Sequence, residues 1–231
     1  MPLEVKLIAH TTDPARVVAA SARLCYSASS AGALYDGLDG TDIRRFLKKL
    51  RDVGHLSPFE HASFTYAVEG VSRVATHQLV RHRLASYSQQ SQRYVTMGEL
   101  RCVAPPEVES SAEASRIFRE TAEIAYAAYE RMVELGVPRE DARFILPHGW
   151  ETSIVVTMNA RELLHFFGLR LCRRAQWEIR AAARRMLALA HEASPELFEY
   201  AGPPCLSGPC REFKPCGRPY GSLEEVLEED R

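Results

Sequence analysis

The sequence predicts an α+β fold in which short strands alternate irregularly with long helices. Three observations carry this. Residues 3–9, 62–68 and 150–158 are β-rich runs short enough to be strands, the first alternating apolar and polar side chains. The stretches from Ser110 to Leu135 and from Gln176 to about His191 have helical spacing over many turns. No G-x-G-x-x-G fingerprint and no internal repeat appears, so a dinucleotide-binding parallel sheet is not indicated. The 231 residues divide into a domain over residues 1–200 and a Cys- and Pro-rich tail over 201–231.

Taken in order, the strand over residues 3–9 precedes Asp13-Pro14, with Asp as N-cap and Pro at the first position of a helix to about Leu24. Residues 27–40 are rich in Ser, Ala, Gly and Asp and read as a loop. A helix from Thr41 or Asp42 puts Ile43, Phe46, Leu47 and Leu50 on one face and ends at Gly54. The strand over 62–68 is expected to stop at Glu69-Gly70, and a helix to run from Val71 to Val80. Pro105-Pro106 marks a loop, and Ser110 or Ser111 caps the long helix after it. A short helix beginning near Pro138 stops at Pro147. Asn159 and Glu162 have capping-box spacing for the helix that follows the strand over 150–158. That helix carries Arg161 and His165 one turn apart and ends in an apolar run before Arg170, which predicts a relatively dry guanidinium. Arg173 and Arg174 read as a surface basic pair.

The chemistry concentrates in residues 78–94. Arg81, His82 and Arg83 stand in a row, followed by Ser86, Ser88, Gln89, Gln90, Ser91, Gln92, Arg93 and Tyr94, with no carboxylate between Arg81 and Tyr94. A core rejects that density of donors, because each buried one needs a partner. Fixed cations and neutral donors without a built-in anion suit a phosphate-bearing ligand. Gln78 lies one turn before Arg81 and points to the same region.

Composition is that of an ordinary globular protein: 46% hydrophobic, 26% charged, formal net charge -1. A globally basic nucleic-acid binder is not indicated, and no apolar run approaches the ~20 residues that span a bilayer. Met-Pro-Leu-Glu-Val-Lys has no signal-peptide pattern, so a cytoplasmic location is expected, with no membrane partner.

Five separated blocks between residues 54 and 190 resemble the flavin-dependent thymidylate synthase (ThyX) family. They are Gly54-His55-Leu56-Ser57-Pro58-Phe59-Glu60-His61; Arg81-His82-Arg83 with Ser91-Gln92-Arg93-Tyr94; Val137-Pro138-Arg139-Glu140 through Arg143 to Pro147; Asn159-Ala160-Arg161 with His165; and Gln176-Trp177-Glu178-Ile179. The resemblance implies that family's fold, a central, mainly antiparallel sheet with long helices packed on it. It implies reductive methylation of dUMP to dTMP, with 5,10-methylenetetrahydrofolate as carbon donor and NADPH reducing a bound FAD. It implies that Ser57, Arg81, His82, Arg83, Asn159, Arg161 and His165 meet the flavin. Gln78, Arg81, Gln89, Gln90, Ser91, Gln92, Arg93, Arg143 and Arg170 would meet dUMP. His165 stands where some members have Asn, and Gln89 where some have Glu. It further implies a homotetramer with sites shared between chains. With no Cys in the donor stretch, the uracil would be activated by polarisation, and Arg170 is the group expected to stabilise the resulting negative charge. Ser91 has no evident His-Asp relay and is expected to position dUMP rather than attack it.

Two readings of another class stay open. Arg81, Arg83, Arg93, Tyr87 and Tyr94 also suit an RNA- or nucleotide-binding surface that stacks bases and tracks phosphates. His55, His61 and His82 suit a metallohydrolase, although no helical ligand spacing supports it. Cys205, Cys210 and Cys216 form a compact set in the tail that fits a metal or a disulfide but lacks an obvious fourth ligand. Cys25, Cys102 and Cys172 read as small buried hydrophobes. The last residues, Ser222 to Arg231, form an acidic amphipathic end.

Overall fold

Four strands, β1 (Glu4–His10), β2 (Ser63–Ser72), β3 (Ala85–Gln89) and β4 (Glu151–Asn159), form one sheet in the order β1-β2-β4-β3, each neighbouring pair antiparallel. This is a computed structural model, and it describes residues 2–96 and 98–229. The helices are α1 (Pro14–Leu24), α2 (Ala31–Asp36), α3 (Gly40–Asp52), α4 (Arg73–Leu79), α5 (Pro106–Glu109), α6 (Ala112–Glu134), α7 (Arg139–Ala142), α8 (Ala160–Arg170), α9 (Trp177–Ala193), α10 (Pro195–Phe198) and α11 (Leu223–Glu228). Single 3-10 turns lie at Ser57–His61, Arg143–Ile145 and Pro204–Leu206. The architecture is α+β with a central antiparallel sheet.

The period-two pattern of the middle strands sets which face the helices cover. Phe64, Tyr66 and Val68 of β2 pair across the sheet with Met158, Val156 and Ile154 of β4, and all six are buried. Helices α8 and α9 close over them, adding Phe166, Phe167, Met186 and Leu187. Removing a ring such as Phe166 from this core would cost about 3–5 kcal/mol, most of it lost burial and cavity. The opposite face carries part-exposed Thr65, Ala67, Ser153, Val155 and Thr157. A second, smaller core gathers Tyr129 of α6, Ala142 of α7, Leu146 and Trp150, and fixes the segment before β4.

Several expectations need correction. Asp13 precedes α1 as expected but takes a left-handed conformation (φ 50°), and its side chain makes no capping bond; its carboxylate meets Arg16 at 2.9 Å instead. The segment 27–40 is not all loop, because Ser30 caps the short α2. β2 does not stop at Glu69-Gly70. Its register shifts between Val68 and Val71, and Gly70 (φ 66°) supplies the left-handed residue of that bulge. The strand therefore includes Val71, and Ser72 caps α4. The loop after Pro105 contains α5. α3 begins at Gly40 and Gly54 follows it with φ 74°. Asn159 caps α8 by accepting from the Glu162 N–H at 2.9 Å, but the Glu162 side chain does not complete the box. Arg173 is no surface cation. It reaches Glu225, Glu229 and the Arg218 carbonyl and stacks on Tyr220, which docks the tail with Tyr220 and Val226 buried. Of the acidic end, Asp230 and Arg231 lie outside the described residues.

Candidate active site

The turn from α4 into β3 and the length of α8 meet at one buried group of side chains. Tyr87, pointing inward from β3, has its Oη 2.8 Å from both the Leu79 and the His82 carbonyl oxygens, so its single O–H is shared between them. That pins the loop carrying Arg81-His82-Arg83 against the helix end. Burial, the nearby Glu162 carboxylate included, pushes the Tyr87 phenol up, so it stays a donor.

His82 is turned inward and 4% exposed. Its Nδ1 lies 3.0 Å from Glu162 Oε1, and its Nε2 lies 3.0 Å from Arg170 Nε. A guanidinium N–H only donates, so Nε2 must be the unprotonated nitrogen and Nδ1 must donate to Glu162. The His82 pKa is lowered, first by burial and also by the Arg170 charge, against the opposing hydrogen bond to Glu162. Both arguments give a neutral imidazole. Arg170 also donates through Nη2 to the Gln78 carbonyl at 3.2 Å. Burial lowers its pKa, as the apolar run before it predicted, but a guanidinium stays charged. Glu162, His82 and the Gln78 backbone thus grip two edges of Arg170 and leave Nη1 without a protein partner among the described residues.

Around this buried line lies an open cationic rim. Arg81 and Arg83 are exposed, and neither forms an ion pair among the described residues. His165 is exposed on α8 with its ring 5.7 Å from that of His82. Arg161, one turn earlier, meets Glu60 across the gap to the 3-10 turn that starts at exposed Ser57. Both partners of that pair are about half exposed, so it holds Arg161 weakly. Asn159 is committed to capping α8.

The second half of the donor stretch lies at the other end of α4. Gln89 donates to Thr76 Oγ1 at 3.1 Å and Thr152 Oγ1 at 3.4 Å. The Gln90 carbonyl accepts from Arg73 Nη2 at 2.8 Å. Ser91 Oγ accepts from the Arg93 N–H at 3.2 Å, a turn-forming bond, with no imidazole relay in contact. Gln92 is buried with its amide nitrogen unpartnered. Arg93 pairs with Glu140 of α7, the carboxylate that the stretch itself lacks, and Arg143 donates to the Glu140 carbonyl at 3.1 Å. Arg73 was not singled out from the sequence. Its pKa is lowered by burial and by the charge of Arg143, and its Nε is buried without a partner. A buried guanidinium donor left over, with a second arginine's charge acting on it, suits an anionic ligand.

The metal-binding alternative is corrected here. The group whose ligand atoms fall within 4.8 Å of one another is His82, Glu162 and His165, not His55, His61 and His82. His55 packs edge-on against Tyr26. Both His82 nitrogens are committed, and a cation beside Arg170 would be repelled. The rim instead suits an anionic ligand: exposed cations, hydroxyl and imidazole donors, and a single weakly held carboxylate. No helix among the described residues is long and apolar enough to cross a membrane.

The family model described as "Thymidylate synthase complementing protein" matches residues 6–196. A protein named flavin-dependent thymidylate synthase from Geobacter sulfurreducens is 52% identical over 227 residues, 97% of this chain and 96% of that one. One of the same name from Clostridium tetani is 44% identical over 94% of each chain. Among solved structures, a UMP/dUMP methylase, PolB, from Streptomyces cacaoi bound with 5-Br dUMP aligns with a TM-score of 0.74 and 27% identity, covering 85% of this chain and 93% of that chain.

Proposed function

The chain belongs to the flavin-dependent thymidylate synthase family, and we propose that it converts dUMP to dTMP with FAD, NADPH and 5,10-methylenetetrahydrofolate. The observation that carries the residue assignment is Arg170, a half-buried guanidinium gripped on two edges by the neutral His82 and the Gln78 carbonyl, in the same turn as the unpaired Arg81 and Arg83.

When bound, FAD supplies the hydride. Arg170 stabilises negative charge developing on the uracil, and it does so without reorganising, because Glu162 and His82 already fix it. His82 acts behind Arg170 as well as lining the flavin side. Arg81, Arg83, Arg161, His165 and Ser57 hold the flavin, with Asn159 fixing the start of α8 beneath it. The dUMP phosphate and sugar lie with Gln90, Ser91, Arg93 and Arg143, joined by Arg73, whose orphaned Nε and repulsion with Arg143 an anion relieves. Gln78, Arg81, Gln89 and Gln92 complete the nucleotide contacts. No thiolate attack is required: Cys172, two residues beyond Arg170, has its pKa raised by burial.

β3 is an edge strand, and Leu84 before it, with Tyr94 and Phe144, leaves large apolar side chains exposed. This supports a homotetramer in which a second chain closes each site. The expected location is the cytoplasm.

The test is the visible spectrum of the purified protein under anaerobic conditions. The expected result is a flavin spectrum that bleaches with NADPH and returns on adding methylenetetrahydrofolate only when dUMP is present. A colourless protein that takes up no FAD and binds oligonucleotides in a salt-sensitive way would overturn the reading in favour of the nucleic-acid surface.

A further inference from the structure

The tail raises a separate question: what orders it. Residues 207–219 are exposed throughout, and residues 208–219 make no backbone–backbone hydrogen bond among the described residues. Burial and ladder bonds therefore do not fix their path. Arg174 holds the loop at two points, through Glu212 at 3.1 Å and the Lys214 carbonyl at 2.7 Å. Small Pro- and Gly-rich loops without a core of their own depend on a cross-link or a metal.

The fold supplies what the sequence lacked. Cys172, at the C-terminal end of α8, lines the same cavity of about 460 Å³ as Cys205, Cys210 and Cys216. All four are free thiols. Cys205 stands on the 3-10 turn, Cys210 and Cys216 on the exposed loop, and Cys172 on the folded domain, so two distant stretches of chain converge. The rest of the lining is mainly Pro, Gly and Arg, with Glu212 as its one carboxylate.

We propose that Cys172, Cys205, Cys210 and Cys216 form a tetrathiolate site for one zinc ion that fastens the tail to the end of α8. The ligand set is all sulfur, which selects zinc over magnesium or calcium. The spacing, four residues between the first two tail cysteines and five between the next, suits a knuckle that wraps a metal. On binding, each thiol gives its proton to solvent, so four protons leave as four Zn–S bonds form and the centre carries a net charge of −2. The arginines of the lining, Arg211 and Arg218 with Arg173 and Arg174, offset that charge. The four sulfurs are not gathered as closely as the His82 group. Closing on the metal requires the loop to move inward, and Gly217 (φ 74°) provides a backbone joint that tolerates it.

The experiment measures zinc per chain by mass spectrometry of the purified full-length protein, together with a native thiol titration. One zinc per chain is expected, with Cys25 and Cys102 the only thiols left to react. Replacing the zinc with cobalt should give the intense sulfur-to-metal absorption of a tetrahedral thiolate site. Cys210→Ser and Cys216→Ser lie in the exposed loop, so the core folds regardless; each should lose the metal and make the tail susceptible to protease, whereas Cys25→Ser should change neither. Zinc retained by both loop variants, a disulfide among the four cysteines, bound iron, or a wild-type protein that takes up neither zinc nor cobalt would each overturn the proposal.

Discussion

Replacing Glu162 with leucine removes the acceptor of the His82 Nδ1–H while keeping the pocket apolar and filled. Glu162 is 5% exposed and His82 4%, so water cannot take the acceptor's place. The imidazole then keeps its proton on Nδ1, buried without an acceptor, because moving it to Nε2 would set it donor to donor against the Arg170 N–H. That leaves Nδ1–H without its hydrogen bond to a charged group, a loss of roughly 1.5–3 kcal/mol, and the other tautomer would lose two such bonds. If that loss falls on the transition state, kcat drops about ten- to a hundredfold, at 1.36 kcal/mol per tenfold. Glu162→Gln keeps an oxygen for Nδ1–H and should lose much less. The assay is single-turnover dTMP formation on flavin-replete protein, alongside KM for dUMP and thermal stability. A structural role would lower Tm alone; a positioning role separates the leucine and glutamine variants in kcat. The pH profile adds an independent readout. His82 is neutral in the native state, with its pKa below the ordinary 6.5. The unfolded chain therefore binds its proton first, so His82 costs nothing above pH 6.5 and destabilises progressively as pH falls below it, until the native pKa is passed. Activity should persist through pH 6.5 and fall below it, when Nε2 is protonated and releases Arg170. Full kcat in a folded Glu162→Leu protein, or an unchanged acid limb, would refute the relay.

Three further substitutions follow from the same geometry. Arg170→Ala should retain FAD and lose dTMP formation by at least a hundredfold in single-turnover assays, and normal turnover would remove Arg170 from the chemistry. Ser91→Ala should raise KM for dUMP more than it lowers kcat, whereas complete loss of chemistry at saturating dUMP would show that the hydroxyl does more than position. Glu178, buried and accepting from both the Ser72 N–H and Oγ, has its pKa raised by burial above 4.5. The native state therefore holds that proton longer than the unfolded chain, and its cost to stability appears as pH rises from 4.5 through the native pKa. Glu178→Gln should flatten the Tm-against-pH curve in that window, and an unchanged slope would assign the slope to other groups.

What the sequence made legible was what depends on local pattern. Strands β2 and β4 announce themselves as short runs rich in β-branched and aromatic residues, and β1 by its alternation. α3, α6 and α9 do so by apolar spacing and, for α6, by the cap Ser111. β3 escaped because Ser86, Ser88 and Gln89 on an edge strand show no apolar alternation, although Tyr87 does point inward. Glu162 escaped because its spacing from Asn159 already had a local explanation, while its true partner lies 80 residues away. Arg173 looked like a surface cation because its carboxylate Glu229 comes 56 residues later, whereas Arg174 is exposed as expected. Arg73 gave no signal at all, since an orphaned Nε and a repelling neighbour exist only once α4, β3 and the Arg143 turn are folded together. The cationic stretch itself was legible because missing carboxylates are a property of composition; folding brings Glu162 onto His82 and Glu140 onto Arg93.

The two ends of α4 divide the work between charge that is fixed and charge that is left unsatisfied. Seven helical residues separate them by about 10 Å. At the C-terminal end the chain spends a buried carboxylate and a neutral imidazole to orient one guanidinium, so that group meets a ligand already aligned. At the N-terminal end it does the reverse, setting Arg73 against Arg143 and withholding the anion. A chain built for stability alone would have paired those arginines with the Glu and Asp residues abundant on α6 and α7. On the proposed assignment, a dUMP phosphate held there would relieve that repulsion and give Arg73 Nε an acceptor. Binding energy at the phosphate would then be available to hold the base against Arg170, which His82 and the Gln78 carbonyl already orient.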